Sequence, residues 1–275
     1  MKTIMLGAVA LVAIGAVPAL AADLPAAPVY TKAPPVVAPV YNWTGCYIGG
    51  DVGGGWARQN ANTYNPAINA AVAQAPDYVT LKGSGAIGGA YVGCNYQFAN
   101  SWVVGLEGDY SWSQLSDTQT GPNNSLTTGL PFATGSVAFS RNVTSIASIR
   151  GRVGYLATPS VLAYVTGGGA WARAKYSGLD TFITGCPNCA SFANSNTSGG
   201  WVAGVGVEWA ATSNWLFRAE YLHYGFNGSS TTALFTPPPF TGPGAQYNYG
   251  SYSVDEVRVG VSYKFGWAGP VVAKY

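Results

Sequence analysis

Between positions 101 and 114 the chain alternates residue by residue: Trp102, Val104, Leu106, Tyr110 and Trp112 fall on one face of an extended strand, and Ser101, Val103, Glu107, Asp109, Ser111 and Ser113 fall on the other. A period of two belongs to a β-strand, and here one face is apolar while the other carries two carboxylates. A slip of one residue would exchange the faces, so wherever one of them meets hydrocarbon the register is fixed. The pattern returns near the end of the chain, with Val257, Val259, Val261, Tyr263 and Phe265 on the apolar face and Glu256, Arg258, Ser262 and Lys264 opposite. In a third copy Trp201, Ala203, Val205, Val207 and Trp209 share a face that has a tryptophan at each end. A strand's height between two tryptophans is the spacing of two interfacial aromatic girdles.

Composition narrows the solvent. Only 9% of the residues are charged and 37 are glycine, too few charges for an ordinary soluble surface. Past the N-terminal region no apolar run approaches the roughly 18 to 20 residues of a membrane helix. Membrane strands are the remaining way to be apolar without long apolar runs. The net charge of +2 comes with no Lys/Arg cluster, which argues against nucleic acid as a partner.

The chain divides into four parts. Lys2, an apolar stretch over 4–17, Pro18 and the pattern Ala19-Leu20-Ala21 predict a signal peptide over 1–21, cleaved before Ala22. Residues 22–43, rich in Pro, Ala and Val, read as an extended periplasmic linker. A barrel is expected over 44–265 and a C-terminal periplasmic extension over 266–275.

Eight strand-like segments are expected, near 45–58, 84–98, 101–114, 142–157, 161–174, 198–211, 214–226 and 252–265. An even count suits an antiparallel up-and-down transmembrane barrel. The fifth, with Gly167 to Gly169, alternates too poorly for its faces to be assigned. Three connections are short (99–100, 158–160, 212–213) and four are long (59–83, 115–141, 175–197, 227–251). Short turns and both termini are therefore expected in the periplasm and the long loops outside, in a cell outer membrane of the Gram-negative type.

The interior of an eight-stranded barrel is just wide enough for side chains to fill. Asp51, Glu107, Arg150, Arg152, Glu220 and Arg258 fall at similar heights on the inward face, and Asp109, Glu208, Arg218 and Glu256 lie close by. Buried charges persist when paired, so these ten predict a salt-bridge network across the lumen and little conduction. Trp102, Trp112, Trp201, Trp209, Tyr263 and Phe265 are the expected interfacial girdle.

Cys46 and Cys94 fall near the periplasmic ends of neighbouring segments, where they either form a disulfide or stay as two thiols. Cys186 and Cys189 form a Cys-x-x-Cys in a long loop, better read as a staple than as a redox site. Two cysteines without a nearby histidine do not make a zinc site. The single histidine, His223, lies among Tyr221, Tyr224 and Phe226. Lipid A deacylase barrels place a serine two residues after their catalytic histidine; position 225 here is Gly. An interfacial histidine is expected, with no enzyme activity and no cofactor.

Several motifs bear a resemblance. Tyr41-Asn42-Trp43-Thr44-Gly45-Cys46-Tyr47-Ile48-Gly49-Gly50, Arg150-Gly151-Arg152-Val153-Gly154-Tyr155, Ala219-Glu220-Tyr221 and Val259-Gly260-Val261-Ser262-Tyr263-Lys264-Phe265 are similar to the porin-like outer-membrane immunogenic proteins. The resemblance covers nearly the whole mature chain. It implies an abundant, surface-exposed barrel that supports envelope integrity, with haem binding or slow solute passage in some members. No haem motif carries over. The partners expected are outer-membrane lipid and lipopolysaccharide and the barrel-assembly machinery, with Phe265 or Tyr275 as the assembly signal and the barrel a monomer. The alternative function is a surface module that binds haem, polysaccharide or a host protein through its loops.

Overall fold

Alternation along each segment leaves every backbone N–H and C=O to be satisfied by a neighbouring strand, and in a membrane that requires a sheet without edges. The computed structural model, which describes residues 41–64, 77–99, 101–124, 131–181, 190–233 and 246–265, meets the requirement by closing on itself. Its strands are β1 (Gly45–Tyr64), β2 (Asp77–Phe98), β3 (Trp102–Asn124), β4 (Pro131–Thr158), β5 (Val161–Thr181), β6 (Ala190–Ala210), β7 (Trp215–Phe226), β8 (Ser229–Thr232) and β9 (Gln246–Lys264). Each pairs antiparallel with the next around the ring, and β9 pairs with both β7 and β1. β8 is a four-residue strand on the far end of β9, so eight staves make the wall and a ninth short strand is added to one of them. The all-β, antiparallel, eight-stave barrel is the fold the alternation predicts.

The strands are longer than expected. Most of the predicted loops 115–141 and 175–197 are strand: β3 runs on to Asn124, β4 begins at Pro131, β5 reaches Thr181 and β6 begins at Ala190. Here β4 and β5 stay in continuous register from Ser136↔Thr181 to Val143↔Ala174. Serine and asparagine on both faces hide a strand from periodicity, but backbone pairing does not depend on that pattern. Parts of 59–83 and 227–251 are likewise strand, in β1, β2, β8 and β9. At the opposite end the turns are tight, and Ala99 takes a left-handed backbone with φ of 47°. The two ends are called here the long-strand end and the short-turn end.

The fifth strand has clear faces after all. Leu162, Tyr164, Thr166, Ala170, Ala172, Ala174 and Tyr176 are buried inward, while Ala163, Val165, Trp171 and Arg173 point out. Gly168 supplies no side chain because a Cβ there would lie 2.0 Å from the Ile149 carbonyl oxygen. Inward glycines elsewhere make room for rings: a Cβ on Gly93 would lie 2.3 Å from Tyr47 Oη, and one on Gly206 would lie 2.4 Å from Tyr164 Cζ. The signal segment, the linker up to residue 40, Cys186, Cys189 and the 266–275 extension lie outside the described residues.

Candidate functional site

The lumen is filled in three layers. In the middle one the ten inward residues of the sequence analysis come together, six carboxylates and four guanidiniums, and all the ion-pairing side chains among them are at most 2% exposed. Strand register sets the starting geometry by placing Glu107 opposite Arg150, Glu208 opposite Arg218 and Glu220 opposite Arg258. Side-chain reach then joins distant strands. Arg150 donates to Glu107 at 2.6 Å and to Glu220 at 2.9 Å, so it links β3 to β7. Arg218 reaches back from β7 to Glu107 at 2.7 Å and Asp51 at 3.4 Å. Arg258 contacts Glu220 at 2.7 Å, Asp51 at 3.3 Å and Asp109 at 3.4 Å. Arg152 pairs with Glu208 at 2.8 Å and lies between the rings of Tyr47 and Tyr164.

Two further groups tighten this layer. Tyr47 Oη donates to Glu107 at 2.7 Å and Tyr164 Oη to Glu220 at 3.1 Å. Glu256 is the weak member: Arg258 is 3.8 Å away, and neither carboxylate oxygen has a hydrogen bond.

Below this layer, at the short-turn end, Trp43 is fully buried with Val103, Leu162, Tyr164 and Leu216. Its indole donates to the Pro159 carbonyl at 3.2 Å. Trp43 belongs to this plug and not to the expected 22–43 linker; one aromatic after a proline-rich stretch has no periodicity to reveal it.

Above the charges, at the long-strand end, Leu81, Phe139, Tyr176, Tyr224, Phe226, Tyr247, Tyr249 and Tyr252 form an apolar and aromatic cap. Tyr224, Phe226 and Tyr252 lie in segments expected as strands, whereas Leu81, Phe139, Tyr176, Tyr247 and Tyr249 lie in segments expected as loops. Arg141 is buried within the cap, donates to Gln59 at 3.1 Å and lies over the Tyr252 ring. Burial pushes the Tyr176, Tyr249 and Tyr252 phenols above the ordinary tyrosine value and pushes the Arg141 guanidinium below its own.

Outward faces carry the reverse chemistry. Trp102, Trp209, Tyr263 and Phe265 ring the wall near the short-turn end, with Tyr155 and Trp215 beside them. Trp112 and Trp201, together with Trp56 and Trp171, form a second ring. Between the rings lie exposed Val52, Leu106, Ile149, Val205 and Val259. On this greasy wall Cys46 and Cys94 face each other across β1 and β2 and are joined in a disulfide.

His223 lies on the outward face by the second ring. Its Nδ1 is 2.7 Å from Asp255 Oδ1, which also accepts from Tyr221 Oη at 2.6 Å, and the Trp201 ring is 5.4 Å away. A histidine oriented by a carboxylate is half of a hydrolase's machinery. Position 225 lacks the nucleophile for a physical reason: a Cβ on Gly225 would lie 2.6 Å from Trp201 Nε1, so the glycine makes room for the indole. Among the described residues no group of three metal-ligating side chains converges.

Charges sealed inside a closed sheet and a greasy wall with two aromatic rings have one common context. The sequence profile of the outer membrane protein beta-barrel domain matches residues 7–265. The chain belongs to that family. It is similar to the 31 kDa outer-membrane immunogenic protein of Brucella melitensis, with 29% identity over 96% of this chain and 100% of that one. The 25 kDa outer-membrane immunogenic protein of Brucella canis is also 29% identical, over 85% of this chain and 84% of its own. Among solved structures, OprG from Pseudomonas aeruginosa aligns over 83% of this chain and 100% of that chain, with 14% identity and a TM-score of 0.43. The barrel is thus an outer-membrane protein.

Proposed function

We propose that the protein is a closed, structural barrel, exposed at the cell surface, that supports the integrity of the outer membrane and passes no bulk solute. The observation that carries this reading is the filled lumen: a buried aromatic plug, a ten-residue ionic layer and an aromatic cap stacked along one axis. An ion crossing it would have to break several buried pairs at once, which costs several kcal/mol per stranded charge. Any porin activity is correspondingly narrow.

The short turns and both chain termini face the periplasm, and the long-strand end faces outward, as in other single-chain barrels. Lipid and lipopolysaccharide surround a monomer delivered by the barrel-assembly machinery. The His223–Asp255 pair is read as an interfacial contact and not as a catalytic dyad, since a glycine stands at 225 where a serine nucleophile would be needed. A second reading has one observation in its favour. β3 to β6 run well past Trp112, Trp171 and Trp201, and strands projecting into the medium offer a platform for haem, polysaccharide or a host protein.

Liposome swelling tests the closed lumen. Vesicles carrying the purified full-length chain should swell no faster in arabinose or glycine than protein-free vesicles, and rapid swelling would contradict the proposal. Deletion of residues 182–189 with the barrel still inserted tests the second reading, which requires ligand capture to disappear.

A further inference from the structure

Among the described side chains four cations point away from the barrel axis: Arg58, Lys82, Arg173 and Lys175. All four lie just beyond the second aromatic ring, Arg58 two residues past Trp56 and Arg173 two residues past Trp171. Two residues of strand are about 7 Å. Aromatic rings of this kind sit at headgroup level, so these cations stand where headgroups begin.

On one wall two of these cations stand at the edge of a pocket. Strand register puts Trp201, Gly225, Ser253, Arg58 and Lys82 in a single row across β6, β7, β9, β1 and β2. Arg58 and Lys82 are direct cross-strand partners, and like charges directly opposite are destabilising when nothing lies between them. Neither side chain forms a salt bridge among the described residues. Two carboxylates lie nearby and both are engaged elsewhere: Asp255 accepts from Tyr221 and contacts His223, and Asp117 accepts from the Lys82 backbone N–H and the Gln119 side chain, without an ion pair to the Lys82 ammonium. Arg58, Asn60, His223, Ser251 and Ser253 line a pocket of about 460 Å³ with Trp201 as one wall, and Lys82 stands beside Arg58 on the neighbouring strand, outside that lining. A guanidinium fork with an ammonium on one side and the Ser253 hydroxyl on the other matches a phosphate monoester.

The geometry points to a binding site for the phosphate of an outer-leaflet glycolipid headgroup, held by Arg58 with Lys82 on one side and Ser253 on the other, and with the acyl chains lying on the wall below Trp56 and Trp201. The inference rests on the orientation proposed above, which places this row in the outer leaflet. A lipid source is favoured over free phosphate because both cations are on the outward face, on the same strands as the exposed apolar side chains of Trp56, Val52 and Val92. Bound phosphate relieves the Arg58–Lys82 repulsion, so the lipid clamps β1 to β2 and β9 near the seam where the barrel closes.

Native mass spectrometry of the full chain in detergent, with purified bisphosphorylated lipid A as the probe, tests the site. The wild type should retain lipid A, and the double variant Arg58→Gln/Lys82→Gln should lose at least tenfold in apparent affinity while keeping its heat-modifiable gel migration. Arg173→Gln/Lys175→Gln, on the far wall, should leave the tightest adduct intact. Equal retention by the Arg58/Lys82 variant would overturn the proposal, as would equal binding of dephosphorylated lipid A. Inorganic phosphate that competes at the same concentration as lipid A would assign the site to free phosphate and overturn the lipid source. Protease shaving reports orientation separately: cleavage at the long-strand end on intact cells is expected, and cleavage there only after the outer membrane is permeabilised would sink the orientation without touching the binding result.

Discussion

At the scale of single residues the ionic layer is uneven, and that unevenness is measurable. Glu107 is held by Arg150, Arg218 and Tyr47. Removing its charge strands guanidiniums that cannot reach water, so Glu107→Gln should destabilise the barrel by about 3–5 kcal/mol. Glu256, with no hydrogen bond to either oxygen, gains little from ionisation. Glu256→Gln should cost less than about 1 kcal/mol or stabilise. Urea unfolding in lipid vesicles separates the two, and equal losses would show that burial alone governs these carboxylates. These ten residues were legible in the sequence because a charge on the inward phase of an otherwise apolar alternation has one place to go. Trp43 was not, since a lone aromatic has no phase.

Elements tell a similar story at greater length. The faces of β3, β6 and β9 could be read from side chains because one face meets lipid. The outer halves of β3 to β6 could not, because serine, threonine and asparagine occupy both faces there and only backbone pairing makes them strands. Most of the cap depends on those extensions, and so that part too was hidden. Its tyrosines carry a pH signature. Their phenols are held above the ordinary value near 10 by burial. Below that value both folded and unfolded chains keep the proton, so the stability is fully present; as pH rises past it only the unfolded chain ionises freely, and the stability is lost. Hydrogen exchange in the outer ends of β4 and β9 should therefore accelerate above about pH 10 before the membrane-spanning part loosens. Uniform acceleration along each strand would contradict the separate cap. The Cys46–Cys94 bridge acts at the other end, closing a loop that spans 48 residues of sequence. Its reduction should lower stability by about 2–4 kcal/mol, read as a shift of the urea midpoint; an unchanged midpoint would mean that pairing of β1 with β2 already imposes the constraint.

For the whole molecule, the account comes down to an inversion of the soluble pattern: apolar side chains face outward between two aromatic rings, and ionised ones face the axis. The most direct measurement is power-saturation EPR on nitroxides placed one at a time at Leu106, Val205 and Val259 of the chain reconstituted in lipid. All three labels should be accessible to oxygen and shielded from a water-soluble nickel chelate, as positions in hydrocarbon are. Ready access of the chelate to these sites would mean that the wall faces water, and the closed membrane barrel would have to be abandoned.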